Sequence, residues 1–421
     1  MSKKDEKTDW MKILEPIAIP RRAGSEEEKK VRDHIVKEWE SFGSESEDGS
    51  VKVNKLDVIF SKDTPKVVSG FFILGFVLIL LWNLLSLYIF REPPHIYITC
   101  FFSVLIIFSL MAGSRWNSIV EVLYRRKTAN MIKTANIEAV IDRKAQKTII
   151  FTAHYDSKSQ SIGFLPRLFM AGFCYGSALF IAMYSILYSV YLINIMKKLP
   201  PAQELIIHRL NSAIVLLGFL IILVLALFYF IGSGNKSPGA VDNGSGVAVL
   251  TCLLKHFSEN PPDDVNLRFV ATAAEEDGLI GAVKYIEKME SVLDKGNTCF
   301  VNLDSVGAKG KLLIIDRYGI PPVSTSKAVS AKILKTANEF GIPAKRVYSP
   351  MGVGYDSIPI AYKGYESVTL AHCGFDKALW SIHSGGDSLA NIDPDALQNT
   401  YEVCKSYVFS TQRSQRGKDS R

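Results

Sequence analysis

The sequence predicts an α/β domain built on a mixed, mostly parallel sheet flanked by helices, with four transmembrane helices inserted as two hairpins. Strand-like and helix-like stretches alternate through the polar part of the chain, which is typical of such a sheet. Four further blocks are apolar over about 20 residues, the length that crosses a bilayer. These blocks come in pairs and interrupt the polar chain, so we expect them to be insertions into one domain.

The composition favours a membrane protein. Apolar residues make up 48% of the 421 residues, and the mean hydropathy is +0.14. The net charge is +7, but Lys and Arg are spread through the termini and the flanks of the apolar blocks, which favours a lipid bilayer as partner and not nucleic acid. The first residues, MSKKDEKTDWMK, lack the apolar stretch of a signal peptide. The six cysteines form no CxxC pair, so we expect free thiols.

The apolar blocks define two hairpins. They run from Val67 to Phe90, Ile96 to Ala112, Leu168 to Met196, and Ala213 to Gly232. REPPH (91–95) is the predicted turn of hairpin 1, and KKLPPAQELIIHR (197–209) is that of hairpin 2. The predicted α/β domain is therefore discontinuous: it comprises residues 1–65, 114–165 and 233–413, hairpin 1 comprises 66–113, hairpin 2 comprises 166–232, and 414–421 form a flexible tail.

The charges around the hairpins predict an orientation. Because each hairpin returns the chain to its starting side, the three polar segments share one compartment. That side carries most of the basic residues near the membrane ends: Lys52, Lys55, Lys62, Lys66, Arg115, Arg125, Arg126, Lys127, Lys158, Arg167 and Lys236. The turns carry fewer: Arg91, Lys197, Lys198 and Arg209. The positive-inside rule then predicts an integral, multi-pass membrane protein with a cytoplasmic catalytic domain.

The polar segments supply the predicted elements of the sheet. SEEEKKVRDHIVKEWESFG (25–43) places Val31, Ile35 and Trp39 on one face behind a serine cap, which predicts an amphipathic helix. SVKVNKLDVIF alternates like a half-buried strand, and IEAVID and TIIFTAH follow as further strands. After hairpin 2 we expect helix GVAVLTCLLKHFSE, strand VNLRFVATA, helix GAVKYIEKME, strand TCFVNLDSV, helix SKAVSAKILKTANEFG and strand ESVTLAH.

Histidines and acids gather at the ends of these elements. They are His154 and Asp156 after TIIFTA, Asp242 before a helix, Glu275 and Glu276 after RFVATAA, Asp304 after CFVNL, and His383 in the loop SIHSGGDS. Ligands bind at the carboxyl ends of the strands in such sheets, so we expect these side chains to converge. Converging buried charges need partners, and imidazole and carboxylate are the usual ligands of zinc. The pattern therefore predicts a metal site.

Five ordered motifs carry a family resemblance. HYD (154–156), DN with SG close behind (242–246), EE (275–276), LDSVG (303–307) and HSGGDSL (383–389) resemble the co-catalytic di-zinc aminopeptidases of peptidase clan MH, which also includes glutamate carboxypeptidase and the glutaminyl cyclases. The resemblance implies a zinc aminopeptidase-like fold and two zinc ions per chain. It implies that His154, Asp242 and Asp304 hold one ion, and that Asp242, Glu276 and His383 hold the other.

The resemblance also implies a reaction. Glu275 matches the general base of the family, and Asp156 matches the carboxylate that orients the first imidazole. The hypothesis is a membrane-anchored aminopeptidase that hydrolyses N-terminal bonds of peptides through a zinc-activated hydroxide, with Glu275 carrying the proton to the leaving amine. GYDSIP (354–359) lacks the histidine usual in the substrate-side loop of the family. Tyr355 and Tyr348 are candidates for the group that steadies the oxyanion.

Three other functions stay open at this point. A non-catalytic membrane scaffold or receptor with the peptidase fold usually lacks metal ligands, whereas here all five positions are filled. A glutaminyl-cyclase-like acyltransferase would hold a single zinc. One ion explains the paired glutamates and the bridging aspartate less well than two ions do. A transporter commonly carries charged residues at mid-membrane, and the apolar blocks carry none. His372, which ends a strand near the site, is interpreted as a core or supporting histidine.

Overall fold

The computed structural model describes residues 9–45, 51–61, 64–89, 93–114, 130–194, 200–350, 353–374 and 377–419. The helices are α1 (Trp10–Leu14), α2 (Glu26–Glu45), α3 (Thr64–Ile89), α4 (Pro93–Ser114), α5 (Phe164–Asn194), α6 (Pro201–Phe230), α7 (Ser245–Glu259), α8 (Ile280–Met289), α9 (Lys327–Glu339), α10 (Ser357–Tyr362), α11 (Lys377–Ser381) and α12 (Pro394–Asp419). The strands are β1 (Val51–Ser61), β2 (Met131–Ile141), β3 (Thr148–His154), β4 (Ser159–Gln160), β5 (Ser233–Gly234), β6 (Asn266–Thr272), β7 (Thr298–Leu303), β8 (Lys311–Tyr318), β9 (Val323–Ser324), β10 (Ala344–Ser349) and β11 (Glu366–Cys373).

The polar segments form one mixed sheet. Its strand order is β1-β2-β6-β3-β7-β11-β8-β10, and the short β9 pairs with β8. The four central strands β6, β3, β7 and β11 are parallel, whereas β2 and β8 run antiparallel to these neighbours. This arrangement confirms the predicted mixed sheet and brings the carboxyl ends of the central strands to one edge.

Helices cover both faces of the sheet, as the burial of both faces of β3 shows. Every residue of TIIFTAH is buried, as expected of a central parallel strand. Ile149 and Phe151 pack on one face in the same cluster as Trp39 of α2, and Ile150 packs on the other face with Tyr285 of α8. Trp39 is fully buried and donates a hydrogen bond from Nε1 to Thr251 Oγ1 over 3.0 Å, which ties α2 to α7.

Several elements differ from the predicted ones. Strands β8 and β10 and helix α12 were not predicted. The two strands, KLLIIDRY and AKRVYS, are short stretches that carry charged residues, and they are defined by pairing with strands that are distant in the sequence. Helix α12 extends to Asp419 and so includes most of the segment 414–421, whose predicted flexibility stays a prediction.

The apolar blocks form four long helices, each long and apolar enough to cross a membrane. The fourth helix begins at Pro201, whereas its apolar block begins at Ala213. Most of the predicted turn 197–209 is therefore helix, since proline suits the first helical position and the polar residues that follow are compatible with a helix. Of the basic residues used to predict the orientation, the following lie outside the described residues: Lys62, Arg91, Arg115, Arg125, Arg126, Lys127, Lys197 and Lys198.

The four helices pack as a bundle with an apolar core of its own. Leu80, Leu84, Ile106, Ala178 and Ile221 belong to this core. Near it, Asn83 donates to Ser103 Oγ over 2.8 Å and accepts from Ser185 Oγ over 3.0 Å, which joins three of the helices. The outward side chains are apolar, and the most exposed are 70% to 77% accessible: Phe71, Phe169, Leu216 and Phe230. Such a surface suits lipid, so the bundle associates with a membrane.

Both hairpins arise at the sheet edge where the central strands end. Hairpin 1 follows the carboxyl end of β1, which is parallel to β6, and hairpin 2 follows the carboxyl end of β3. The two ends of hairpin 2 pair through β4 and β5, where Ser159 lies opposite Gly234. At the end of hairpin 1, Ser114 Oγ accepts a hydrogen bond from the backbone N–H of Ile320 over 2.9 Å. The bundle is therefore fastened beside the edge that carries the predicted site.

Candidate metal centre

The structure brings the five predicted metal ligands together. His154 is the last residue of β3, Asp304 follows β7 directly, and Glu276 lies four residues beyond the end of β6. Asp242 lies just before α7, and His383 lies two residues after α11. Five features thus converge on a single point of the sheet edge. They are the carboxyl ends of three neighbouring strands, the start of one helix and one loop.

The distances place Asp242 between the two histidines. Its Oδ1 lies 3.2 Å from Nε2 of His154, and its Oδ2 lies 3.2 Å from Nε2 of His383. The ring of His154 is also 3.9 Å from Glu275 Oε2 and 4.0 Å from Asp304 Oδ2. The ring of His383 is 2.9 Å from Glu276 Oε1. Each histidine therefore faces a carboxylate oxygen of Asp242 and at least one further acid.

The donor atoms fit divalent cations such as zinc. They form two groups, His154 with Glu275 and Asp304, and Asp242 with Glu276 and His383, and the atoms of each group lie within 4.8 Å of one another. Oε1 of Glu276 is buried and lies 2.9 Å from Nε2 of His383. A buried carboxylate oxygen that faces an imidazole nitrogen suits a shared cation, and nitrogen and oxygen ligands of this kind are those that zinc takes.

The pKa values show how crowded the acids are. Burial raises the pKa of Asp304 to about 7, with the Asp242 charge adding to it. Burial also raises the pKa of Glu275, and the neighbouring Glu276 and Asp304 raise it further. Burial opposes the ionisation of Asp242, but its contacts with His154 and His383 hold its pKa below the usual range. The side chains of the protein therefore do not compensate the negative charge of Asp304 and Glu275 when these acids ionise. Asp242 differs, because its two histidine contacts stabilise its ionised carboxylate.

Asp156 contacts both His154 and the loop that carries the two glutamates. Its Oδ1 lies 3.6 Å from Nδ1 of His154, and its backbone oxygen lies 3.2 Å from the same nitrogen. Its carboxylate also accepts the backbone N–H groups of Glu275, at 3.1 Å, and of Glu276, at 3.2 Å. The carboxylate therefore also fixes the turn that presents the two glutamates, a turn that Ala274 enters with a left-handed φ of 55°. Its role in orienting the imidazole stays a prediction.

Asp387 holds the backbone of Asp242 in a similar way. Its carboxylate accepts the backbone N–H of Val241 over 2.8 Å and that of Asp242 over 3.1 Å, and it is fully buried. Burial raises the pKa of Asp387 to about 7. Asp387 belongs to the motif HSGGDSL, but no role was predicted for it because the motif alone does not show which backbone it reaches.

Arg21 joins the loops that carry His154 and Asp242. It is fully buried, and its guanidinium donates to the backbone carbonyls of Tyr155, Ile19, Pro238 and Gly239. Burial lowers its pKa to about 10, so it stays charged at neutral pH. These partners are up to 218 positions away in the sequence, and no local pattern in IPRRAGS predicted the contact.

A cavity with apolar walls opens beside the centre. Leu313, Ile315, Leu379 and Ile382 line it, together with Phe164 and Arg167 in the first turn of α5. Of the two tyrosines predicted as candidates for oxyanion stabilisation, Tyr355 lines this cavity. Tyr348 does not belong to the described lining, and its hydroxyl donates to the backbone oxygen of Gly319 over 2.7 Å.

His372 also lies in the cavity wall, apart from the metal ligands. Its Nδ1 lies 3.3 Å from the backbone oxygen of Gly310, and burial lowers its pKa to about 4. It is therefore a neutral, buried histidine, in keeping with the predicted supporting role. All six cysteines have free thiols, as predicted.

Comparison with known proteins identifies relatives. Residues 228–408 match the model of peptidase family M28. Aminopeptidase YwaD of Bacillus subtilis (strain 168) is 24% identical over 193 residues, which cover 43% of this chain and 39% of that protein. A vacuolar membrane protease of Laccaria bicolor is 25% identical over 185 residues, which cover 38% of this chain and 17% of that protein. The solved structure of LapB from Legionella pneumophila matches with a TM-score of 0.55 and 11% identity, and the match covers 97% of this chain and 73% of that one.

These comparisons confirm the predicted resemblance to the zinc peptidases and the predicted fold class. The match to peptidase family M28 contains Asp242, Glu275, Glu276, Asp304 and His383, whereas HYD (154–156) precedes it. The matched region spans about two fifths or less of the length of the curated relatives. The likeness to LapB concerns the fold alone.

Proposed function

We propose that this relative of peptidase family M28 is a membrane-anchored zinc metallopeptidase, and specifically an aminopeptidase that removes N-terminal residues from peptides. The observation that carries the proposal is the position of Asp242, which turns one oxygen to His154 and the other to His383. A carboxylate shared between two histidines, each with its own further acid, suits a pair of metal ions that have a common ligand.

In this proposal His154, Asp242 and Asp304 hold one ion, and Asp242, Glu276 and His383 hold the other. When bound, zinc supplies Lewis acidity, which lowers the pKa of a water molecule and polarises the scissile carbonyl. Asp156 and Asp387 keep the ligand loops in position through the backbone hydrogen bonds described above. The walls of the cavity exclude water around the peptide.

Glu275 is the residue proposed to move the proton. Its carboxylate lines the cavity and makes no hydrogen bond with the described residues, although it lies 3.9 Å from the His154 ring. It takes the proton from the attacking water and passes it to the leaving amine. Its raised pKa suits this task, because a carboxylate with an ordinary pKa is a weak base at neutral pH.

The test uses the full-length protein purified in detergent, with Leu-Gly-Gly and N-acetyl-Leu-Gly-Gly as substrates. We expect hydrolysis of the free-amine peptide alone, together with about two zinc ions per chain by elemental analysis. Equal cleavage of the blocked peptide would show an endopeptidase. Cyclisation of a Gln-initiated peptide without hydrolysis would show a glutaminyl cyclase, and a zinc-loaded protein with no turnover would indicate a scaffold or receptor.

The domain organisation and orientation belong to the same proposal. Because both hairpins begin at one sheet edge, residues 1–65, 114–165 and 233–413 are proposed to form one cytoplasmic catalytic domain, whose polar flank includes Lys158 and Lys236. In sealed vesicles of known orientation, a protease site inserted after Lys295, in an exposed loop, should be cut from the cytoplasmic side. A site inserted after Lys197 should be cut from the opposite side, and the reverse pattern would refute the orientation.

A further inference from the structure

Hairpin 2 contributes a basic residue to the cavity. Arg167 lies in the first turn of α5, a helix that begins at Phe164, and one of its guanidinium nitrogens, Nη2, lies 2.6 Å from Nδ1 of His383. Its Nε donates to the backbone oxygen of Gly163 over 3.4 Å. Among the described residues that line the cavity, Arg167 is the only lysine or arginine.

The root of the hairpin fixes where this arginine stands. The backbone N–H of Gln160 donates to the backbone oxygen of His383 over 2.9 Å, and β4 pairs with β5 across the ends of the hairpin. The ring of Phe164 lies edge-on to the ring of His383, with the centroids 6.4 Å apart. Arg167 of hairpin 2 and the segment that leads into the hairpin therefore contact His383 through one backbone and two side-chain contacts.

The guanidinium of Arg167 has hydrogen-bond donors to offer to a ligand. A guanidinium carries five N–H donors and no acceptor. Its described contacts are those of Nε with Gly163 and of Nη2 with His383, and Nη1 has no hydrogen-bond partner among the described residues. Because Arg167 lines the cavity, a ligand bound there can accept a hydrogen bond from Nη1.

The complementary ligand is a carboxylate. The guanidinium matches a carboxylate in a forked, bidentate geometry, and the other charged groups of this cavity are the acids and histidines of the metal centre. The acidic end of the cavity therefore suits the amine of a peptide, and the Arg167 end suits its anionic group. Because a single imidazole ring separates Arg167 from Asp242, that anionic group would lie within a residue or two of the scissile bond.

We propose that Arg167 binds a carboxylate of the peptide substrate, so that hairpin 2 sets substrate preference as well as anchoring the domain. The carboxylate belongs either to the C-terminus of a short peptide or to an acidic side chain. The inference rests on the proposed peptidase function and adds a substrate class to it.

Two substrate pairs separate the sources of the carboxylate. Leu-Leu against Leu-Leu-amide tests the C-terminal group, and Glu-Leu-amide against Gln-Leu-amide tests the side chain. The wild-type protein should prefer the carboxylate member of one pair by about 10- to 100-fold in kcat/KM, the usual range for a charge-assisted hydrogen bond. Arg167→Met, which keeps an unbranched side chain in an apolar helix, should remove that preference. Arg209→Met, an exposed arginine of the same hairpin, should retain it.

A binding measurement keeps this test independent of turnover. In the Glu275→Gln background, the carboxylate peptide should raise the melting temperature more than its amide does, and adding Arg167→Met should abolish the difference. Zinc analysis of both proteins accompanies the measurement. If Arg167→Met lowered kcat/KM equally for both members of each pair and also lost zinc, Arg167 would only position His383, and the proposal would be overturned. A wild-type protein that cleaves all four peptides without preference would also overturn it, while leaving the peptidase function intact.

Discussion

Replacing Glu275 with glutamine is expected to lower kcat by about 100- to 10,000-fold, the usual contribution of a positioned general base. Glutamine keeps the size and the planar end of the side chain, and the backbone N–H of residue 275 still reaches Asp156. It does not accept a proton from water at neutral pH, so the proton transfer fails while the site keeps its shape. Zinc content should stay at about two ions per chain. The measurements are steady-state kinetics and elemental analysis of the purified protein.

Glu276→Gln should differ from Glu275→Gln in its zinc content. It removes a predicted ligand next to His383 and should lower zinc content together with activity. Glu339→Gln, which changes an exposed glutamate on α9, should alter neither quantity. If Glu275→Gln kept near-wild-type turnover, Glu275 would not be the base and the proposed mechanism would be wrong.

Several of the candidate ligands could be predicted because they follow strongly patterned strands. His154 ends a strand of seven buried residues, and Asp304 directly follows a strand whose six residues are all buried. Such apolar runs are legible as strands, and in a parallel sheet their carboxyl ends share an edge. The motif order then carried the resemblance that the family match confirms. Their roles as ligands stay predictions.

The residues that hold those ligands were not predictable in the same way. Arg21 reaches Gly239, and Asp387 reaches the backbone of Asp242, across intervals that no periodicity encodes. Arg167 was interpreted as one charge flanking a membrane segment, and its contact with His383 depends on how β4 and β5 close the hairpin. Strand β8 was missed for a related reason, because it is defined by pairing with β11 and β10.

Removing the shared carboxylate is expected to have the broadest effect on metal binding. In Asp242→Asn the side chain keeps its shape, but the charge that faces both histidines is lost. In the proposed centre both ions then lose a negatively charged ligand, so zinc content should fall from about two ions per chain to well below one, and activity should fall by at least about 1,000-fold. The loop itself should persist, because Asp387 holds it through the backbone N–H groups of Val241 and Asp242.

Single-ligand variants distinguish a shared carboxylate from two separate sites. His154→Ala should deplete the ion that Asp304 helps to hold, and His383→Ala should deplete the ion held with Glu276, each leaving about one zinc per chain. Asp242→Asn should exceed both in zinc loss, since Asp242 has a carboxylate oxygen 3.2 Å from each of the two imidazoles. Zinc retention by Asp242→Asn equal to that of either histidine variant would mean that the ions do not share this carboxylate. Circular dichroism of each variant establishes that the lost zinc reflects ligand chemistry in a folded protein.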